Sequence, residues 1–337
     1  MKQITNVFFW SLKEQLVYTR KEDNLFCIDP LNNEKPETYN LNFSPRYFHR
    51  LIDDSLVIVD ELNRPLAKYA GGELLPFNMG DIGNIVIDNQ DPRYLTLYSG
   101  MMEHKVVKVY DWVGKKVRLE MKAGTSYTVV KDKVFIADDW TLKCFNLDGE
   151  LNWKNDLVSP QELKEVWKKD IIGMYNRDLW VVLTDNRFVV VNVDTGATLL
   201  GPIAMKEIVG LPVSAGQLHI DEKRGRLKVL AYSYYIEIDL VTYKPVIVRK
   251  HDNDWVIRFG QFFEDTRVCF IGNNRGFNQQ SIAELSVGIF NTKTYEIEWC
   301  YTFPDEDKYY FLMKGPQANE KYVGVRDTND TLHLFER

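Results

Sequence analysis

Five histidines, at positions 49, 104, 219, 251 and 333, are the side chains of this chain best suited to hold a metal or to move a proton near neutral pH. They are isolated from one another, and there is no phosphate loop, G-x-S-x-G elbow or H-E-x-x-H pair. Separation in sequence does not prevent a cluster if the fold brings distant segments to one axis. His49 and His219 fall on segments expected to be innermost strands, where a metal-dependent lactonase or lyase would place His, Asp, Glu or Asn. The structural counterpart is a hydrogen-bonded histidine in a packed channel. Asp88 and Asp221 end expected inner strands, a place where aspartate usually makes a turn. Cys27, Cys144, Cys269 and Cys300 lie in separate apolar runs with no C-x-x-C spacing, which reads as buried free thiols. No catalytic residue, metal ligand or cofactor is therefore assigned.

The elements that would carry these residues form an internal repeat, the pattern to seek before any local assignment. Lys133–Asp138 and Thr141–Asn146 are apolar strands followed by the turn Leu147-Asp148-Gly149 and Trp153. The pattern returns as Leu179–Thr184 with Arg187–Asn192, as Leu227–Tyr232 with Ile236–Asp239, and as Val268–Ile271 with Ile289–Asn291. Looser copies precede these, and Tyr322–Val325 with Leu332–Phe335 closes the chain. Anchors at Asp29, Tyr69, Asp111, Asn146, Asn192, Asp239, Asn291 and Phe335 are spaced by 35 to 52 residues, the size of a propeller blade.

The turn has a local cause: Asp or Asn folds its side chain back on the backbone two residues on, Thr supports it, and Gly supplies positive φ. Strands that are apolar on both faces need neighbouring sheets on both sides, so the copies must stack in a ring. An inner strand precedes each pair, at Tyr47–Ile52, Asn84–Asp88, Ser126–Val130, Ile171–Tyr175, Gln217–Asp221, Ile257–Phe263 and Tyr310–Lys314. The expected fold is all-β: a closed β-propeller of about eight four-stranded antiparallel blades, seven being the alternative. It forms a single domain over residues 1–337, closed by Lys2–Thr5 pairing with the C-terminal blade. Ser159-Pro160-Gln161-Glu162 makes a capping box for one short helix near 160–168.

The repeat resembles the pyrroloquinoline-quinone-dehydrogenase-like (quinoprotein-like) propeller repeat, a WD-like rhythm whose motif is Ala-x-Asp-x-x-Thr-Gly with Trp four residues later. Asn192, Thr195 and Gly196 match, as do Asp239 with Thr242, and Asn291 and Thr294 with Trp299; Tyr295 stands where Gly is expected. In Asn146–Trp153 the turn is one residue shorter. The family's quinone enzymes are typically exported and use calcium and a catalytic aspartate, often with a vicinal disulfide. This chain has no adjacent cysteines, so the resemblance points to a non-catalytic member, of the kind that serves as scaffold or binding protein.

Composition limits the partner. With 42 basic against 48 acidic residues the net charge is −6, and no basic run could neutralise phosphates, so neither nucleic acid nor an anionic membrane is expected. The apolar run Val7–Trp10 is too short for a signal-peptide core, and no stretch approaches the ~20 apolar residues of a membrane span. A cytoplasmic monomer is expected. Loops joining the second and third strands of each blade gather acids such as Asp60, Asp185, Asp327 and Asp330 around Met101, Met102, Asp138, Asp139 and Trp140, beside Phe277 in the loop Asn273–Ser281. With Trp255, these are the candidate binding residues for a protein partner with a basic surface, as in an immunity or adaptor protein. The competing readings are solubilising turn acids with Trp140 and Trp255 in the core, and a propeller enzyme with a metal or small ligand at the central channel.

Overall fold

The computed structural model describes residues 1–13, 16–19, 24–27, 38–41, 43, 45–60, 62, 65–70, 73–77, 84–86, 91–99, 106–122, 126–138, 140–158, 169–183, 185–213, 216–251, 255–273, 286–304 and 315–337. Strand β1 (Lys2–Ile4) is followed by β2–β5 (Val7–Ser11, Leu16–Thr19, Asn24–Cys27, Thr38–Asn40) and β6–β9 (Pro45–Arg50, Leu56–Asp60, Pro65–Ala70, Glu73–Pro76). Next come β10–β13 (Asn84–Val86, Tyr94–Ser99, Val106–Asp111, Lys116–Lys122), β14–β17 (Ser126–Val130, Lys133–Asp138, Thr141–Asn146, Leu151–Asp156) and β18–β21 (Lys169–Tyr175, Asp178–Leu183, Arg187–Asn192, Thr198–Ala204). After the helix α1 (Met205–Val209) follow β22–β25 (Gln217–Asp221, Arg226–Leu230, Tyr234–Asp239, Pro245–Lys250) and β26–β29 (Val256–Phe263, Arg267–Asn273, Ser286–Asn291, Glu296–Thr302). The last three strands are β30 (Gln317–Ala318), β31 (Tyr322–Arg326) and β32 (Leu332–Glu336).

Among the described residues these strands make eight four-stranded sheets, seven of them meanders in sequence order and the eighth ordered β1-β32-β31-β30. All pairings are antiparallel, and β1 lies on β32 as Lys2–Leu334, Gln3–His333 and Ile4–Leu332. Two compact units contain four sheets each: Met1–Asn42 with Met205–Arg337, and Phe43–Ala204. Within the units first strands of successive sheets meet, β22 against β26 in one and β14 against β18 in the other. This is the packing of propeller blades.

Middle strands are buried on both faces, β7, β28 and β31 along their whole length, because a sheet covers each side. Fourth strands alternate, as in β29, where Ile297, Trp299 and Tyr301 turn inward and Glu296, Glu298 and Cys300 outward. Cys300 is thus exposed, against the expectation of four buried thiols, whereas Cys144 and Cys269 are buried and free.

The repeated turn takes the expected form. Asn192 Oδ1 accepts the N–H groups of Asp194 and Thr195 and the Thr195 hydroxyl, and Gly196 follows at φ +73°. Asp239 does the same for Val241 and Thr242, and Asn291 for Lys293 and Thr294. Tyr243 and Tyr295 take the left-handed position at φ 59° and 65°. The Tyr295 ring offsets that strain by packing on Tyr235 and beneath Arg249. A register shift beside the anchor, as at Val109/Tyr110, Cys144/Phe145 and Ile289/Phe290, completes a bulged hairpin.

Neighbouring sheets are clasped at these turns. Trp153 on β17 donates Nε1–H to the Val193 carbonyl at 2.6 Å and lies so close over Gly196 that a Cβ there would stand 2.7 Å from the indole. Trp112 donates to Asp53 at 3.1 Å, and Trp299 packs on Phe335 at 5.4 Å. The expected inner strand Tyr310–Lys314 and the expected helix near 160–168 lie outside the described residues. The eighth sheet's fourth member is β30, three residues beyond the first of these, and α1 was not foreseen.

Candidate functional site

Of the candidate binding residues, Met101, Met102, Asp139 and Phe277 lie outside the described residues. Asp138 ends β15, its backbone paired with Thr141. Trp140 sits in the turn between β15 and β16, half-buried on the cluster formed by β14–β20, and its carbonyl accepts the Leu157 N–H at 2.8 Å. Trp255 belongs to the core: it is 7% exposed and meets Phe270 edge-on at 5.6 Å. A ring so placed has no face left to offer a partner.

Three acids of the same turns hold them by accepting backbone N–H groups. Asp60, 4% exposed, accepts the Leu62 N–H. Asp185 accepts the Arg187 N–H and pairs with its guanidinium at 2.6 Å. Asp327 is fully buried and accepts the N–H groups of Asn329 and Thr331 and the His333 Nε2–H at 2.8 Å. Burial pushes the Asp327 carboxyl up, but the His333 bond and the two backbone donors outweigh it and hold it below the usual carboxylate range. Asp330 faces Arg326 at 3.9 Å. Asp60, Asp185 and Asp327 thus brace their own turns by satisfying backbone donors, whereas the Asp330 side chain is half-exposed.

What these turns do present are apolar tips. In the unit Phe43–Ala204, Leu62 is 64% exposed in the β7–β8 turn. In the other unit, Tyr232 is 46% exposed on the two-residue β23–β24 hairpin. That hairpin is pinned on both sides: Ala231 and Tyr234 exchange backbone bonds, His251 N donates to Ser233 O, and Ile257 N donates to Tyr232 O. Neither residue was singled out from the sequence, where a lone Leu or Tyr beside a strand looks like any core residue. At the opposite strand ends Ile52, Val113 and Val241 are also exposed, on the turns that clasp adjacent sheets.

The inner-strand histidines differ. His49 on β6 is buried, with Nε2 unpartnered among the described residues, and burial pushes its pKa down to about 4, so it is neutral at pH 7. His219 on β22 is exposed, its ring stacked on Phe262 at 5.0 Å; the partial desolvation of that contact and the Lys228 ammonium lower its pKa. Asp221 forms an ion pair with Lys228 at 2.8 Å, and Lys228, 1% exposed, also donates to the Asp265 carbonyl at 2.6 Å. Asp88 is outside the described residues. Among the described residues no three His, Cys, Asp or Glu side chains converge as metal ligands.

No family model and no curated protein matches the chain. Solved structures do. Sqt1 of Saccharomyces cerevisiae superposes with a TM-score of 0.59 at 11% identity, over 96% of this chain and 92% of that one. The dihydro-heme d1 dehydrogenase NirN gives 0.54 at 11% identity, over 99% and 79%, and BamB from Moraxella catarrhalis 0.50 at 15%, over 87% and 85%. At such identities the likeness carries the fold alone, and the fold is a β-propeller of four-stranded antiparallel blades.

Proposed function

We propose that this propeller is a non-enzymatic protein-binding module, an adaptor or immunity protein, which engages its partner through the second-to-third-strand turns of the unit formed by Met1–Asn42 and Met205–Arg337. The observation that carries the reading is Tyr232: a half-exposed aromatic ring on a hairpin already held by flanking backbone bonds. Such a residue offers large contact area with little ordering cost on binding, as interface anchors do. The net charge of −6 favours a partner with a basic surface.

The test compares proteins captured from a lysate by the unaltered chain and by a Tyr232→Ala variant, with folding checked by circular dichroism. A partner retained by the first and weakened at least about tenfold with the second supports the face. Identical retained sets from two folded proteins would refute it. The second reading, a propeller enzyme acting on a ligand or metal, is favoured by one observation, the buried Nε2 of His49, unpartnered among the described residues. Elemental analysis, with thermal shifts on adding divalent ions, separates the two readings.

A further inference from the structure

The sheet β1-β32-β31-β30 has thin flanks, β30 with two residues and β1 with three. Lys2 and Gln3 are exposed and Ile4 is half-buried, so β1 contributes little apolar area. What it covers is different: Leu332, His333, Leu334 and Phe335 are all buried. An uncovered apolar strand edge pairs readily with another chain. Beyond Ile4 comes a hinge of two exposed residues, Thr5 and Asn6, and Asn6 is in the left-handed region at φ 59°. Val7 is pinned, its N–H on the Asp330 carbonyl at 2.7 Å and its carbonyl accepting from Arg326 at 2.9 Å, so opening stops at the hinge.

We propose that β1 is an exchangeable strap: when it lifts, the edge of β32 takes the Lys2–Ile4 strand of a second copy of this chain, and the exchange is reciprocal. The occupant follows from fit. Lys2–Ile4 is the segment seen to match this edge, with Ile4 opposite Leu332 and the Gln3 amide 3.4 Å from His333 Nδ1. Exchange rebuilds the same contacts between copies, and an extended hinge frees Asn6 from its left-handed conformation. A short hinge is the arrangement that promotes swapping, and asparagine holds its left-handed conformation at little cost. The monomer dominates at low concentration because the strap is tethered beside its own edge. This inference stands apart from the proposed protein-binding role.

Sedimentation velocity on the full chain across a concentration series is the test, with variants at the hinge and strap. Asn6→Val places a β-branched residue at positive φ and is expected to raise the dimer association constant at least about tenfold, whereas Asn6→Gly lowers it. Adding Ile4→Asp to Asn6→Val abolishes the dimer. A folded Asn6→Val protein that associates no more than the unaltered chain, or a dimer indifferent to Ile4→Asp, overturns the proposal. If Asn6→Val does not fold, hydrogen exchange on the unaltered chain decides: Lys2–Ile4 amides exchanging at least about a hundredfold faster than those of Tyr322–Arg326 support the strap, and equal protection overturns it.

Discussion

Replacing Lys228 by Met removes one half of a buried ion pair while keeping the length of the aliphatic stem. Lys228 is 1% and Asp221 8% exposed, the charges are 2.8 Å apart, and the same ammonium satisfies the Asp265 carbonyl. Loss of one partner of a buried pair costs about 3–5 kcal/mol, because the remaining charge stays desolvated. The Asp265 carbonyl adds to this, while Arg224, whose backbone N–H bonds Asp221 and whose guanidinium lies 3.9 Å away, subtracts from it. Taking about 4 kcal/mol and an unfolding entropy of about 2.1 cal/mol/K per residue over 337 residues, the Tm falls by about 6 °C.

The double variant Lys228→Met, Asp221→Asn leaves no orphaned charge and should recover more than half of that loss. The pH dependence has a definite sign. Burial pushes the Asp221 carboxyl up, but Lys228 pulls it down further, so the folded value lies below the unfolded one. The pair's contribution is therefore full above the unfolded value, about pH 4, and is lost as pH falls through the lower folded one. Differential scanning calorimetry from pH 7 to pH 3 should show the gap between the unaltered chain and Lys228→Met narrowing below about pH 4. A gap under about 1 °C at pH 7, or a double variant no more stable than the single, would refute the reasoning.

Two further outcomes concern the clasp. Gly196→Ala should cost more than about 2 kcal/mol by chemical denaturation, since φ +73° disfavours an L residue and the new Cβ would press on the Trp153 ring. Trp153→Phe keeps much of the packing but strands the Val193 carbonyl, and should cost about 1–3 kcal/mol; an unchanged denaturation midpoint would show that the bond is dispensable.

The blade turn was legible because its physics lies within five residues: a side-chain acceptor at Asn192 or Asp239, Thr three residues on, and a residue able to take positive φ. The second and third strands were legible for a related reason, since double-sided burial shows as unbroken apolar runs such as Val189–Val191. Strand β30, with two residues, carries no period to detect. The binding residues were harder. Asp60 and Asp327 looked like a charged rim because composition shows the carboxylate but not the backbone donors it faces. Trp255 and Tyr232 are both aromatic residues near strand ends, yet one is core and one is half-exposed.

Repetition of a motif at blade spacing, read from the chain alone, determined the class of fold, the approximate number of sheets and the partnership of the first and last strands. It could do so because hydrogen-bonded turns and apolar periodicity are short-range properties. Which side of each ring meets water, which acid is spent on a turn, and which lysine is buried against an aspartate were decided by the packing of one sheet on the next. Burial depends on atoms contributed by residues some 40 positions away, as where Trp153 covers Gly196, and no local pattern records them.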